Sequence, residues 1–125
     1  MGRLADKLWS RLVRLKGKCE MCGKTERLQG AHGIGRTYRS TRWLPINGFC
    51  LCSGCHVRYT HDPIGWDLYL RKAWGELVYD ELRATAQRVA KTDYEQVIRA
   101  LALELQARGV PREDLPVWFF KVEVL

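Results

Sequence analysis

Four cysteines stand in two pairs, Cys19-Glu20-Met21-Cys22 and Cys52-Ser53-Gly54-Cys55, and all five cysteines and all three histidines fall between Cys19 and His61. Zn²⁺ takes four tetrahedral ligands, and thiolates at C-x-x-C spacing bind it from one tight turn. Two such turns close a structural four-thiolate site at Cys19, Cys22, Cys52 and Cys55. Gly23 and Gly54 supply small residues where the backbone bends around the ion. The competing readings are disulfides, which need an oxidising compartment, and free buried thiols. Cys50 is the cysteine left over. It could replace Cys52, but only Cys52 has the two-residue spacing to Cys55, so Cys50 reads as a small buried apolar residue.

The histidines suggest a second chemistry. Phosphodiester hydrolysis needs a water activated near neutral pH, where imidazole titrates. It also needs positive charge at the phosphate, which a divalent cation supplies. Mg²⁺ or Mn²⁺ keeps several waters and so needs few protein ligands. His32, His56 and His61 beside a rigid knuckle could meet these needs. The plainer readings are a strand or core residue for His32, zinc binding or helix packing for His56, and a capping or surface residue for His61. His56 and His61 are five apart, which is not the spacing that puts two ligands on one helix face. His56 therefore ranks above His61.

The order Cys19-x-x-Cys22, Gly30-Ala31-His32, Arg36, Thr41-Arg42-Trp43, Asn47, Cys52-x-x-Cys55-His56 resembles the HNH endonucleases, and within them the phage NinG-like HNH proteins. The resemblance covers residues 19 to about 61. It implies a ββα-metal finger whose cysteines hold a structural zinc. It also implies His32 as general base and Asn47 as the residue orienting that histidine or its loop. His56 becomes a catalytic ligand of a separate divalent ion (Mg²⁺ or Mn²⁺, with Zn²⁺ an alternative), and His61 a second candidate ligand. Many family members carry an acid just before the first histidine, as a ligand of that ion, whereas this chain has Ala31. Either fewer protein groups hold the ion, or Asp62 or another residue substitutes, or activity is weak or absent.

The formal charge is +7 over 125 residues. Four thiolates on one zinc lower it by two and leave the chain basic, which suits a polyanionic partner such as DNA. No apolar run is long enough to span a membrane, and no apolar signal core opens the chain. Cysteines used for metal point to a reducing compartment. The expectation is a cytoplasmic protein of a bacterial or phage-infected cell.

The elements that must position these residues follow from periodicity. Leu4, Leu8, Trp9, Leu12 and Leu15 predict a helix over residues 3–16, with Arg3, Lys7, Arg11 and Arg14 on its other side. That basic row reads as a solvated face or a phosphate-tracking stripe. Residues 27–33 predict a strand delivering His32, and Trp43-Leu44-Pro45-Ile46 a second, edge strand. Between them Arg36, Arg39 and Arg42 recur every three residues beside Tyr38 and Trp43. Guanidinium groups bind phosphate and aromatic faces stack on bases, so this loop, with Arg58 on the following helix, is the expected nucleic-acid contact.

Helices are expected from Asp62-Pro63 to residue 74, over 76–90, and from the capping box at Thr92 to about 108. The tail from Val117 alternates like a strand and should pack within the chain or form a homodimer. The fold class expected is α+β in one domain: a helix over 3–16, a small zinc-stapled finger over 17–62 embedded in a mainly helical domain with its scaffold over 63–109, and a strand-like tail over 110–125. Two functions fit, a metal-dependent HNH endonuclease acting on DNA and a non-catalytic zinc-stabilised DNA-binding or architectural protein.

Overall fold

The computed structural model describes residues 1–116, so the strand expected from Val117 and the homodimer built on it lie outside the described residues, while the start of the expected strand-like tail over 110–125 is instead a 3-10 turn, Arg112–Asp114, with Val110 and Leu115 buried in the core. At its centre is an antiparallel hairpin, β1 (Leu28–His32) and β2 (Gly48–Cys52). Leu28 pairs with Cys52 and His32 with Gly48. Every residue of β2 is buried, because helices cover both faces of the hairpin. A strand in that position reads as a continuous apolar run rather than an alternating one.

This corrects the second strand expected at residues 43–46. Pro45 has no N–H to give a ladder, and it opens a 3-10 turn over Pro45–Asn47. The arginine-rich stretch before it makes a one-turn helix, α2 (Arg39–Arg42). The pairing strand is Gly48-Phe49-Cys50-Leu51-Cys52, whose cysteines point a sequence reading towards metal.

One face of the hairpin packs against α1 (Gly2–Arg14) and α6 (Tyr94–Ala107) through Ala5, Trp9, Leu12, Cys50, Ile98 and Leu105. Gly48 lets α1 approach, since a Cβ there would collide with Val13. The other face meets α3 (Ser53–Thr60), α4 (Pro63–Trp74) and α5 (Glu76–Ala86), where Phe49 and Leu51 pack with Leu70, Tyr79, Trp66 and Trp74. The architecture is therefore mainly helical around a two-stranded sheet. Among the described residues no helix is long and apolar enough to cross a membrane.

The helix ends follow their local chemistry. Asp62 caps α4 by accepting from the Gly65 amide at 3.0 Å, Pro63 takes the first helical position, and Gly75 stops the helix at φ +78°. Asp93, one residue later than the expected cap, accepts from the Gln96 amide at 3.1 Å and opens α6. Helix α5 ends at Ala86, short of the expected residue 90, because Val89 is fully exposed and contributes nothing to burial.

Candidate metal centre and histidine cleft

The first knuckle is a turn closed by Gly23 N–H donating to the Cys19 carbonyl at 2.9 Å, with Gly23 at φ +78°, a conformation that favours glycine. The second forms where β2 runs into α3. Cys52 ends the strand and caps the helix, accepting on Sγ from the Cys55 amide at 3.5 Å. The hairpin register brings the two knuckles together. Glu20 locks them, its carboxylate accepting from the Cys50 amide at 2.6 Å while its own amide donates to the Cys50 carbonyl at 2.8 Å.

The four Sγ atoms of Cys19, Cys22, Cys52 and Cys55 all lie within 4.8 Å of one another, and Cys22 and Cys52 are 3.6 Å apart. A tetrahedral zinc with Zn–S bonds of about 2.3 Å sets its sulfurs roughly 3.8 Å apart. The cluster thus fits a metal such as structural zinc. Burial raises the Cys19 thiol, but backbone N–H groups of the knuckles outweigh it and hold Cys19 down to about 6. Cys55 is pushed up to about 12 by burial and by its hydrogen-bonded sulfur neighbours. Four thiolates this close repel one another unless a cation compensates them. Cys50 takes no part; it is fully buried in the α1–α6 face.

The histidines are not gathered in this way. Side chains on β1 alternate, with Gly30 and His32 toward α1 and Gln29 and Ala31 toward α3 and α4. The His32 ring stacks on Trp9, centroids 3.9 Å apart and planes 8° apart, and its Nε2 is buried with no partner. Burial first, then the Arg42 and Arg36 charges, hold its pKa down at about 4, with Asp6 partly offsetting them.

His56 lies half-buried on α3, its Nδ1 2.6 Å from Gln29 Oε1. An amide oxygen only accepts, so Nδ1 is the donor in this contact, and in the neutral ring that tautomer leaves the lone pair of Nε2 for a ligand. His32 and His56 both line a cleft of about 240 Å³, walled by Leu51, Tyr59, Trp66 and Pro63. His61 caps the end of α3, is exposed, and is not among the residues lining this cleft. Asp62 is engaged as the α4 cap. Among the described residues the cysteines are the only group of three or more such donors that converges.

Asn47 is fully buried and closes the loop after His32. Its Oδ1 accepts from the Ile34 amide at 2.7 Å, its Nδ2 donates to the Ile34 carbonyl at 3.0 Å, and its own carbonyl accepts from the Gly33 amide at 2.9 Å. Three indoles pin the same loop. Trp66 Nε1 donates to the Gly33 carbonyl at 2.9 Å, Trp9 to Leu44 at 3.0 Å and Trp74 to Ile46 at 3.2 Å.

The expected nucleic-acid residues divide. Arg42 is held by Asp6 through Nε at 3.1 Å and Nη2 at 2.7 Å, and Trp43 is buried with Nε1 donating to Asp6 Oδ1 at 2.8 Å. These two fasten the loop to α1 and do not present themselves to a ligand. Arg36, Arg39 and Arg58 are exposed, with Arg58 over the Tyr59 ring. Sequence reasoning missed Asp6, Gln29 and Trp9 as partners of the loop and the histidines. Only Asp6 left a trace, as the single acid in an otherwise basic helix.

The chain matches no family model, no curated protein and no solved structure.

Proposed function

We propose that the protein is a metal-dependent HNH endonuclease that hydrolyses phosphodiester bonds in DNA. The observation that carries this reading is the clamp of Asn47 on the turn leaving His32, in a β1-β2-α3 unit whose helix starts at the cysteine cluster and carries His56 with a free Nε2. His32 would accept the proton of the attacking water at Nε2, the nitrogen left without a partner. His56 Nε2 would hold a divalent ion, Mg²⁺ or Mn²⁺, together with water and phosphate oxygens. When bound, that ion neutralises charge developing on the phosphate. Asn47 positions the His32 loop, and the exposed Arg36 and Arg39 would contact the DNA backbone. The sequence resemblance to NinG-like proteins extends the proposal to phage recombination and branched DNA.

One specific observation favours a second reading, a non-catalytic zinc-stabilised DNA-binding protein. His32 is stacked with Nε2 buried and a pKa of about 4, and Ala31 offers no carboxylate. A base so weak, and shielded from water, must turn outward to act. Incubation with supercoiled plasmid and with a branched duplex, under Mg²⁺, Mn²⁺ and no added ion, separates the two. Ion-dependent nicking supports the nuclease, and faster cutting of the branched duplex supports the recombination role. Binding without cutting under every ion supports the second reading.

A further inference from the structure

Asp6 is the only acid on α1, and both its oxygens are taken by Arg42 and Trp43. This draws the arginine loop onto the first half of the helix and brings Arg36 Nη2 to 3.8 Å from Asp6 Oδ2, with the Arg36 side chain still 67% exposed. Arg39, exposed, lies one helical turn before Arg42. On α1 itself Arg3 and Lys7 flank Asp6, and both are exposed. Arg42 and Arg36 thus share one carboxylate, and three further exposed cations, Arg3, Lys7 and Arg39, lie on the same two elements.

Folding accounts for Arg42, which fastens the loop, and in part for Arg36, but not for the exposed Arg3, Lys7 and Arg39. Arg3 lies in the first turn of α1, which holds no acid, so its charge faces the positive end of the helix dipole. The acids nearest in the neighbouring helix are committed. Helix α6 reaches the start of α1 through Tyr94 against Gly2, but there Asp93 caps its own helix and Glu95 pairs with Arg99. An uncompensated cluster of this kind suits a polyanion.

We infer that Arg3 and Lys7 of α1, with Arg36 and Arg39 of the loop, form one surface that binds the phosphate backbone of duplex DNA. Trp9, one turn along α1 from Asp6, carries the His32 ring. The surface therefore leads toward the cleft and, on the nuclease reading, would hold the strand being cut. Binding itself does not require cleavage.

The test is the salt dependence of binding to a short labelled duplex, followed by fluorescence anisotropy with no divalent ion added. Each phosphate contact contributes about 0.9 to the slope of log affinity against log salt. The double variant Arg3→Gln/Lys7→Gln should lower that slope by about 2, and its melting temperature should not fall, because both residues are exposed and Arg3 opposes the α1 dipole. Lys72→Gln, on α4 across the hairpin, should leave the slope as it is. An unaltered slope in the double variant, or an equal loss in Lys72→Gln, overturns the assignment. Plasmid cutting is scored separately. A changed slope without any cutting keeps the surface and removes the nuclease, whereas cutting with an unchanged slope does the reverse.

Discussion

The cysteines and the histidines occupy the same stretch of chain, yet the fold treats them oppositely. Four sulfurs converge within 4.8 Å. The three imidazoles do not converge on a point: His32 is stacked on Trp9 and His56 is hydrogen-bonded to Gln29, both lining one cleft, and His61 is exposed at a helix end. A C-x-x-C pair is a local device, and two of them need only a hairpin to meet. A histidine gains its chemistry from what the rest of the chain brings to it. Here that is α1 on one face and α3 on the other.

The sharpest way to break this contrast is to remove a sulfur. Cys52→Ser should lose the metal and with it the cooperative thermal transition, because structural zinc contributes directly to folding. Metal content by mass spectrometry and a melting curve check this; an unchanged melting temperature would refute it. Asn47→Ala should cost less. It strands the buried amide and carbonyl of Ile34, each worth about 1–3 kcal/mol, so a loss of about 2–6 kcal/mol in urea unfolding is expected while the metal stays bound.

Smaller still is the pH dependence from His32. Its folded pKa of about 4 lies below the ordinary value of 6.5, so the unfolded chain binds the extra proton first. The stability contributed by neutral His32 is fully present above about pH 6.5 and is lost as pH falls toward 4. Urea midpoints across that range should slope in wild type, and the slope should shrink in His32→Phe, which keeps a ring against Trp9. Asp6→Asn should have the least effect, about 1–2 kcal/mol, for the loss of the charged partner of Arg42 and one acceptor. A loss as large as that of Asn47→Ala would move the loop's anchor from Asn47 to Asp6.

What was legible in the sequence follows the same division. The four-cysteine cluster, α1, the His32 strand and the Asp62-Pro63 start of α4 were readable, because each depends on spacing or on a cap only a few residues long. The second strand was misplaced. A strand buried on both faces lacks alternation, and its cysteines suggested chemistry rather than pairing. Arg42 and Trp43 looked like ligand contacts because their partner, Asp6, is 36 and 37 residues away. The indole bonds that hold the loop, from Trp9, Trp66 and Trp74, span 28 to 35 residues and leave no local mark.

The central claim is the proposal that His32 and His56 act together in phosphodiester hydrolysis. It is tested most directly by plasmid nicking with wild type, His32→Ala and His56→Ala, each first shown to retain its metal and its melting transition. The expected result is Mg²⁺- or Mn²⁺-dependent nicking by wild type that is lost in both variants. Cutting by either variant at the wild-type rate, or no cutting by wild type under any ion, would contradict it.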